Sequence, residues 1–266
     1  MNNTIGIGII TCNRVHFFRE LINSIPNVDK IVVVNDGRDY ENKDYPSKIT
    51  EVIQHKKNMG IAKTKNDALK YLLDQGCKHI FLLEDDIAIR DQSIIEKYIR
   101  AAKVSGILHF NYAYHGKWNK NSLGEPIYKS LRDYGDNVKI AFHSDFTGAL
   151  SYFQDFVLHK VGLMDEIYSN VLEHVDHTYQ IAKQGFHPPF RWFADIPESF
   201  NSIVELDPML TQSVNAQKIL SIKLRAKIFG AYFRLKNGYR PYGVPQATES
   251  EFLKSLDEIK IKYAIR

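Results

Sequence analysis

Short apolar runs alternate with longer amphipathic stretches through the first hundred residues. The apolar runs predict β-strands at residues 5–11, 30–35, 49–55 and 81–87. The amphipathic stretches have helical periodicity and predict helices at residues 15–25, 61–73 and 92–104. Strands that alternate with helices are typical of βαβ units. The sequence therefore predicts an α/β fold with a mostly parallel sheet flanked by helices.

The second half of the chain follows a different pattern. Residues 112–142 are rich in Tyr, Asn, Gly and Lys, and they predict a β-rich insertion with long loops and short strands at residues 127–131 and 138–142. Helical periodicity returns at residues 154–161 and 175–184, and residues 190–193 predict a last strand. Beyond Pro208 the chain becomes basic and helical. We therefore predict a first domain of residues 1–208 and a helical extension of residues 209–266.

Composition narrows the class of protein. The chain of 266 residues has 35 basic and 31 acidic side chains, and this net charge of +4 is too small to favour a nucleic-acid partner. Cys12 and Cys77 are the only cysteines and lack zinc-binding spacing, which argues against disulfides and structural zinc. No apolar run approaches the ~18 residues of a membrane span. We expect a globular, cytoplasmic protein.

The fourth predicted strand ends in three consecutive acidic residues. Glu84, Asp85 and Asp86 follow the apolar run at residues 81–83, at the end of a strand where open α/β sheets bind ligands. Carboxylate oxygens suit Mg²⁺ or Mn²⁺, and a diphosphate can complete the coordination of such an ion. A solvated acidic turn before the next helix explains the same residues equally well. The run alone leaves both hypotheses open.

Polar residues also follow the first two strands. Thr11, Asn13 and Arg14 can present backbone groups and a cation to a nucleotide, although an ordinary turn capped by Asn13 explains them as well. Asp36 can accept the N3 hydrogen of uracil, whereas a plain Asp-Gly turn is the commoner use of such a pair. Neither segment decides a function by itself.

Two further segments start helices with unusual residues. Asn58 and Gly60 precede a helix whose first turn carries lysines, including Lys65, and cations are unfavourable there unless an anion lies nearby. A diphosphate would be such an anion, and a solvated helix start is the alternative. The later helix begins with Glu173, His174, Asp176 and His177. A carboxylate or imidazole there can remove a proton from an attacking hydroxyl. The alternative is that acidic residues simply favour the start of a helix. Zinc binding by the two histidines is a weak hypothesis, because the spacing offers no third ligand.

The order of these segments resembles the motifs of family 2 glycosyltransferases with the GT-A fold. The resemblance covers roughly residues 4–200 and implies a Rossmann-like sheet and a metal-dependent, inverting transfer of a sugar, usually from a UDP-sugar. The segments that carry it are Thr11-Cys12-Asn13-Arg14, Val34-Asn35-Asp36-Gly37, Asn58 to Asn66, Glu84-Asp85-Asp86 and Gly162-Leu163-Met164-Asp165-Glu166.

The resemblance also implies roles for single residues. Asp86 would be the direct ligand of Mn²⁺ or Mg²⁺, and Glu84 replaces the first aspartate of the family's DxD motif while still reaching the ribose or the metal. Thr11 and Asp36 would hold the nucleoside, with Lys65 and Asn66 near the base or the diphosphate. Further contacts with the nucleotide-sugar are expected from Asn13, Arg14, Asn58, Gly60, Asp85 and Gly148.

One position departs from the family pattern. His174 stands where the family has an aspartate as catalytic base, so we favour His174 oriented by Glu173, with Glu173 or Asp176 itself as the alternative base. The resemblance implies transfer of a hexosyl or N-acetylhexosaminyl group to a saccharide or lipid-linked acceptor in polysaccharide or lipopolysaccharide synthesis. A degenerate GT-A domain that only binds a sugar or a partner protein is the competing hypothesis.

The tail of residues 214–240 is basic and apolar. Its cations are Lys218, Lys223, Arg225, Lys227, Arg234, Lys236 and Arg240. A helix of this composition can rest on an anionic membrane, which would locate the protein at the inner face of the membrane. At 100° per residue the charges fall on two sides, so packing on the catalytic domain or on a second copy is an equal alternative.

Overall fold

A computed structural model describes residues 3–114, 116–207 and 219–264, with the side chains of residues 219–222 left out. The strands are β1 (Ile5–Thr11), β2 (Lys30–Asn35), β3 (Glu51–Gln54), β4 (His79–Glu84), β5 (Ile87–Ile89), β6 (His109–Asn111), β7 (Ser130–Asp133), β8 (Lys139–His143), β9 (Leu150–Gln154), β10 (Phe193–Asp195) and β11 (Ile203–Glu205). The helices are α1 (Val15–Ser24), α2 (Ile61–Asp74), α3 (Ile94–Ser105), α4 (Asp155–Val161), α5 (Glu173–Lys183), α6 (Ser199–Ser202), α7 (Ile219–Asn237) and α8 (Glu249–Tyr263). The proposed boundary after Pro208 lies outside the described residues.

The main sheet confirms the predicted α/β architecture. Its six strands have the order β3-β2-β1-β4-β9-β6, and β1 to β4 pair in parallel. β9 and β6 extend this sheet in antiparallel fashion. Helices α1, α3 and α8 cover one face of the sheet, and α2, α4 and α5 cover the other. One apolar cluster lies under each set of helices. A mostly parallel sheet buried on both faces explains why its strands are continuous apolar runs.

Two glycines in β1 bring α2 close to the sheet. A Cβ on Gly8 would lie 2.9 Å from the Ala68 Cβ, and one on Gly6 would lie 2.8 Å from the Leu72 Cδ2, both on α2. Both glycines lie inside the strand rather than in the turn that follows it. They therefore serve the packing of α2 against β1.

The structure corrects several predicted boundaries. β4 ends at Glu84, and the residues that follow turn into β5, which pairs with β11 in a separate sheet. The predicted last strand at residues 190–193 begins only at Phe193, because Arg191 has a left-handed backbone with φ of 75° that interrupts an extended chain. β10 joins β8 and β7 in the predicted β-rich region. The short strands β6 and β9 were not predicted.

The C-terminal helices pack on the first two hundred residues. The ring of Phe252 on α8 stacks on Trp192, with 3.9 Å between ring centroids. Phe233 on α7 is fully buried, and its ring contacts Tyr179 on α5. Lys218, one of the predicted tail cations, lies outside the described residues. Among the described helices, none is long and apolar enough to cross a bilayer.

Candidate active site

A cleft of about 1090 Å³ opens at the carboxyl ends of the parallel strands. Because parallel strands end at one edge of the sheet, residues far apart in the chain meet there. Arg14 after β1, Asp36 after β2, Glu84 at the end of β4 and Asp86 just beyond it all line this cleft. His174 at the start of α5 lines it as well. The structure thus brings together residues from four of the predicted motifs.

Asp36 organises the loop before α2. One carboxylate oxygen accepts hydrogen bonds from the Met59 backbone N–H at 2.6 Å and from His55 Nδ1 at 2.7 Å, and the other accepts from the Gly60 N–H at 3.0 Å. Gly60 has a φ of 90°, and a Cβ there would lie 2.6 Å from the Ser169 carbonyl oxygen. Three of the roughly four lone pairs of the Asp36 carboxylate are used, so one remains for a ligand.

The acidic run divides between the cleft and the interior. Asp85 is completely buried, accepts a hydrogen bond from Thr11 Oγ1 at 2.6 Å and contacts the Arg14 guanidinium. Burial raises the pKa of Asp85 to about 7, although Arg14 opposes this rise. Arg14 Nη1 also lies 3.3 Å from Asp86 Oδ2. Glu84 and Asp86 face the cleft while Asp85 holds Arg14 beside them.

A buried lysine joins the acidic run to α5. Lys65 Nζ lies 2.7 Å from Glu84 Oε1 and 2.9 Å from Glu173 Oε1. Burial lowers the pKa of Lys65, but the Glu173 and Glu84 carboxylates outweigh it and raise the pKa above its ordinary value. Burial likewise opposes ionisation of Glu173, yet Lys65 and His174 hold its pKa below the ordinary value. This part of the site is therefore a buried chain of alternating charges.

His174 extends that chain into the cleft. Its Nδ1 lies 3.0 Å from Glu173 Oε1, and its ring packs edge-on against Phe146. A carboxylate on Nδ1 favours the tautomer that carries the proton there, which leaves Nε2 as a proton acceptor. Gly148 makes room for this arrangement, since a Cβ would lie 2.9 Å from Lys65 Nζ and 3.1 Å from His174 Nδ1.

The chain is similar to known proteins in its structure and not in its sequence. No protein-family model and no curated protein sequence matches the chain. Solved structures do match, among them the mannosyltransferase PcManGT from Pyrobaculum calidifontis in complex with GDP-Man and Mn²⁺, at 13% identity and a TM-score of 0.57 over 95% of this chain and 68% of that one. GalNAc-T7 with UDP, GalNAc and Mn²⁺ matches at 12% identity and a TM-score of 0.53, over 98% of this chain.

The chain has the GT-A fold. A residue 1–349 structure of TarS from S. aureus also matches, at 16% identity and a TM-score of 0.48 over 67% of this chain. The chain spans 55% of the TarS and GalNAc-T7 structures. The matches to PcManGT and GalNAc-T7 establish a shared fold alone, so the activity has to be argued from the site.

Three residues that were predicted to bind the nucleotide-sugar do not line the cleft but bond to the segments around it. Thr11 holds Asp85, and its hydroxyl also lies 2.7 Å from the Tyr40 hydroxyl. The Asn66 side chain bonds both the N–H and the carbonyl of Met164, at 2.9 and 2.8 Å. Asn13 Oδ1 accepts from the Arg38 N–H at 2.8 Å. These three side chains fix the loops around the cleft instead of lining it.

Asp176 also lies away from the cleft. It is buried and bonded to α7, where Lys236 Nζ lies 2.7 Å and Asn237 Nδ2 3.0 Å from its carboxylate oxygens. His177 points elsewhere too, with Nε2 2.9 Å from the Gly162 carbonyl oxygen. The described residues contain no group of three His, Cys, Asp or Glu side chains suited to a metal ion, so the hypothesis of zinc between His174 and His177 is not supported.

Several cleft residues were not assigned to the site from the sequence. They come from the segment after β8, from the segment before β10 and from the C-terminal part. They include Asp145, Phe146, Arg191, Lys223, Lys227, Arg240 and Tyr242. Their sequence neighbourhoods carry no motif, and only the tertiary fold brings them to one cavity.

Proposed function

We propose that this protein is a glycosyltransferase that moves a sugar from a nucleotide-sugar donor to a hydroxyl group of an acceptor. One observation carries the proposal. In a GT-A fold, Glu84 and Asp86 line the same cleft as His174, and Lys65 connects Glu84 to the carboxylate that orients His174. The groups needed to neutralise a leaving diphosphate and to accept a proton thus face one cavity.

The donor is proposed to be a UDP-sugar carrying a hexosyl or N-acetylhexosaminyl group. Asp36 lines the cleft with one lone pair free for an N–H of the base, and Asn58 and Gly60 line it beside Asp36. PcManGT holds GDP-Man and GalNAc-T7 holds UDP, so both bases are compatible with the fold. The uracil preference rests on the resemblance to family 2 glycosyltransferases.

The residues present suit a divalent ion that is shared with the donor. Glu84 and Asp86 both line the cleft, whereas no third metal-ligating side chain joins them among the described residues. Hard ions such as Mn²⁺ and Mg²⁺ accept carboxylate oxygens together with phosphate oxygens and water. When bound by Asp86, with Glu84 nearby, such an ion would neutralise negative charge on the diphosphate. Mn²⁺ is present in the PcManGT and GalNAc-T7 structures.

His174 is proposed to act as the general base. The proton of the acceptor hydroxyl passes to His174 Nε2, and the hydroxyl oxygen forms a bond to the anomeric carbon. The bond from that carbon to the diphosphate breaks on the opposite face, so a single displacement inverts the configuration. Glu173 stabilises the imidazolium that results, because its carboxylate lies 3.0 Å from Nδ1. The Arg14 guanidinium, beside Asp86, adds positive charge next to the leaving group.

A nucleotide-sugar hydrolysis screen tests this proposal. Release of nucleoside diphosphate from UDP- and GDP-sugars is measured with Mn²⁺ for the wild type and for the Asp86→Asn, His174→Ala and His174→Asp variants. We expect Asp86→Asn to lose about a hundredfold or more in rate, His174→Ala to lose a similar factor and His174→Asp to retain more. The exposed Asp133, outside the cleft, gives the matched control Asp133→Asn. Full metal-dependent turnover by Asp86→Asn would contradict the assignment.

A sugar-binding or partner-binding role without catalysis is the second candidate. Arg14 already pairs with Asp85 and Asp86, and a histidine replaces the usual aspartate at residue 174. A wild-type protein that binds UDP or GDP but releases no product from any donor would favour this role. Measuring nucleotide binding and turnover on the same preparation separates the two candidates.

The acceptor is a proposal from the resemblance, and the location at a membrane is a proposal from the basic and apolar composition of the tail. We propose a saccharide or lipid-linked acceptor in polysaccharide or lipopolysaccharide synthesis, at the inner face of the membrane. Leu224 and Ile228 are exposed on α7 among basic residues, which suits contact with an anionic membrane or with a second copy. Sedimentation with vesicles of phosphatidylglycerol at low salt tests the membrane contact, and absence of co-sedimentation would contradict it.

A further inference from the structure

The cleft-facing side of α7 carries two lysines and two small residues. Lys223, Ala226, Lys227 and Gly230 all line the cleft. Their spacing of i, i+3, i+4 and i+7 places them on one face of the helix. The small residues Ala226 and Gly230 beside the two lysines leave room for a ligand to lie against the helix. The tail was expected from its sequence to contact a membrane or another surface, and the cavity gives this face a different use.

The charges of the cleft are unevenly matched. Each acidic side chain that lines it has a partner, because Asp36 bonds backbone N–H groups, Glu84 and Glu173 pair with Lys65, Asp86 with Arg14 and Asp145 with Arg191. Three cationic side chains on the α7 side are exposed, namely Lys223, Lys227 and Arg240. Over residues 3–114, 116–207 and 219–264, no ion pair involves any of the three. The unmatched charge of the cavity is therefore positive.

Two contacts bring the first turns of α7 near the start of α2. The guanidinium of Arg225 donates to Asn170 Oδ1. The neighbouring Ser169 carbonyl oxygen accepts from the Ile61 backbone N–H at 2.8 Å. Gly60, Lys223 and Lys227 line the same cleft. A lysine is a point charge on a flexible four-carbon stem, so both ammonium groups can reach a ligand held between α2 and α7.

We propose that Lys223 and Lys227 form a phosphate-binding subsite on the cleft face of α7. The inference rests on the proposed function for the source of the phosphate, which is either the diphosphate of the donor or a phosphate group on the acceptor. Lysine binds phosphate through charge-assisted hydrogen bonds, which are about twice as strong as neutral ones. Ala226 and Gly230, on the same face as the two lysines, allow phosphate oxygens to approach the helix backbone.

Calorimetric titration of the full chain tests the subsite. Uridine, UMP, UDP and GDP are titrated with and without Mn²⁺, and hexyl phosphate is titrated in the presence of UDP. The proteins are the wild type, the Lys223→Ala/Lys227→Ala double variant and the control Arg234→Ala. Arg234 is an exposed cation on the same helix that does not line the cleft. Circular dichroism of each variant verifies that α7 and the sheet are retained.

The two sources of phosphate give different results. If the subsite binds the donor, the double variant weakens UDP or GDP binding about tenfold, while uridine binds as in the wild type. If it binds an acceptor phosphate, UDP binding is unchanged and hexyl phosphate binding falls about tenfold. Arg234→Ala matches the wild type in both cases. Equal binding of all these ligands by the wild type and the double variant would overturn the subsite.

Failure of the subsite is distinguishable from failure of the proposed function. A wild-type chain that binds UDP and GDP, with a double variant that binds them and hexyl phosphate equally well, contradicts only the subsite. A wild-type chain that binds neither nucleotide contradicts the proposed function. The subsite is then tested by comparing the affinity for hexyl phosphate of the wild type and of the double variant. A double variant that loses only its affinity for phosphatidylglycerol vesicles would assign the lysines to a membrane surface and overturn the subsite.

Discussion

The ammonium group of Lys65 lies 2.9 Å from the carboxylate of Glu173, a residue 108 positions further along the chain. Both side chains are buried, and the second carboxylate on Lys65 belongs to Glu84 at the end of β4. One lysine thus links the acidic turn after β4 with the first turn of α5. Glu84 and Glu173 therefore share a buried counter-ion.

This relationship predicts a large effect of neutralising Lys65. Lys65→Met removes the cation and leaves two carboxylates facing each other inside the protein, so we expect a loss of about 3–5 kcal/mol of unfolding free energy. Urea denaturation followed by circular dichroism measures the loss. In the double variant Lys65→Met/Glu173→Gln the repulsion disappears, and part of the stability should return. A loss below about 1 kcal/mol in the single variant would show that the network is not a buried charge cluster.

The close packing around Gly148 predicts that a larger side chain there disturbs the site. An alanine Cβ there would lie within 3.1 Å of Lys65 Nζ, Glu84 Oε1 and His174 Nδ1. We expect Gly148→Ala to displace His174 and to lower sugar-transfer kcat more than tenfold, with a stability change of about 1–3 kcal/mol. Gly243 also lines the cleft but has no atom within 4 Å of its Cβ position, so Gly243→Ala is the matched control. Equal kcat values for both variants would contradict the role of Gly148.

The buried side chain of His187 is expected to make the free energy of unfolding decrease at acidic pH. Its Nδ1 lies 2.8 Å from the Pro188 carbonyl oxygen, while Nε2 accepts from the Ala194 N–H at 3.1 Å, so only the neutral ring satisfies both bonds. Burial lowers the pKa of His187 to about 4. Since the unfolded chain takes up this proton near pH 6.5, stability is complete above pH 6.5 and falls as the pH drops toward 4.

The variant His187→Gln isolates this contribution. Its Oε1 can still accept from Ala194, but it cannot titrate. Between pH 6 and pH 4.5 its unfolding free energy should fall less steeply than that of the wild type, by up to about 1.4 kcal/mol per pH unit. Urea denaturation at several pH values measures both slopes. Parallel slopes would mean that His187 is protonated in the folded protein.

Local patterns were sufficient to predict much of the sheet and its acidic edge. The apolar runs that became β1 and β2 are continuous and bounded by turn residues, which made their type and limits clear. The acidic residues at the end of β4 could be placed at a ligand-binding edge because the carboxyl ends of parallel strands meet at one edge of the sheet. Such arguments need only the nearest residues in the sequence.

Features that depend on distant partners could not be predicted in this way. The five residues of β9 lie directly before α4, and their type is decided by pairing with β4 and β6. Lys65 is predicted to lie near the nucleotide, but no local pattern reveals that Glu173 will pair with it. Asp176 was a candidate base for a similar reason, since its partner Lys236 is 60 residues away. Tertiary contacts decide these roles.

The pair of Lys236 and Asp176 predicts how α7 is held on the fold. Asp176 is buried, and Lys236 Nζ contacts both its Oδ2 and the Oδ2 of Asp165, at 2.7 and 2.8 Å. Removing the lysine leaves Asp176 with only neutral partners, including Asn237 and Gln180. We expect Lys236→Ala to weaken the docking of α7 by about 1–3 kcal/mol.

Limited proteolysis is the measurement, because local opening of α7 exposes its many lysines and arginines to trypsin. The Lys236→Ala variant should be cleaved within residues 223–234 at least fivefold faster than the wild type, as followed by mass spectrometry. Lys254, exposed on α8 in an i,i+4 pair with Glu258, gives the control Lys254→Ala. If both variants are cleaved at the wild-type rate, α7 must be held by the packing of Phe229 and Phe233 rather than by the buried ion pair.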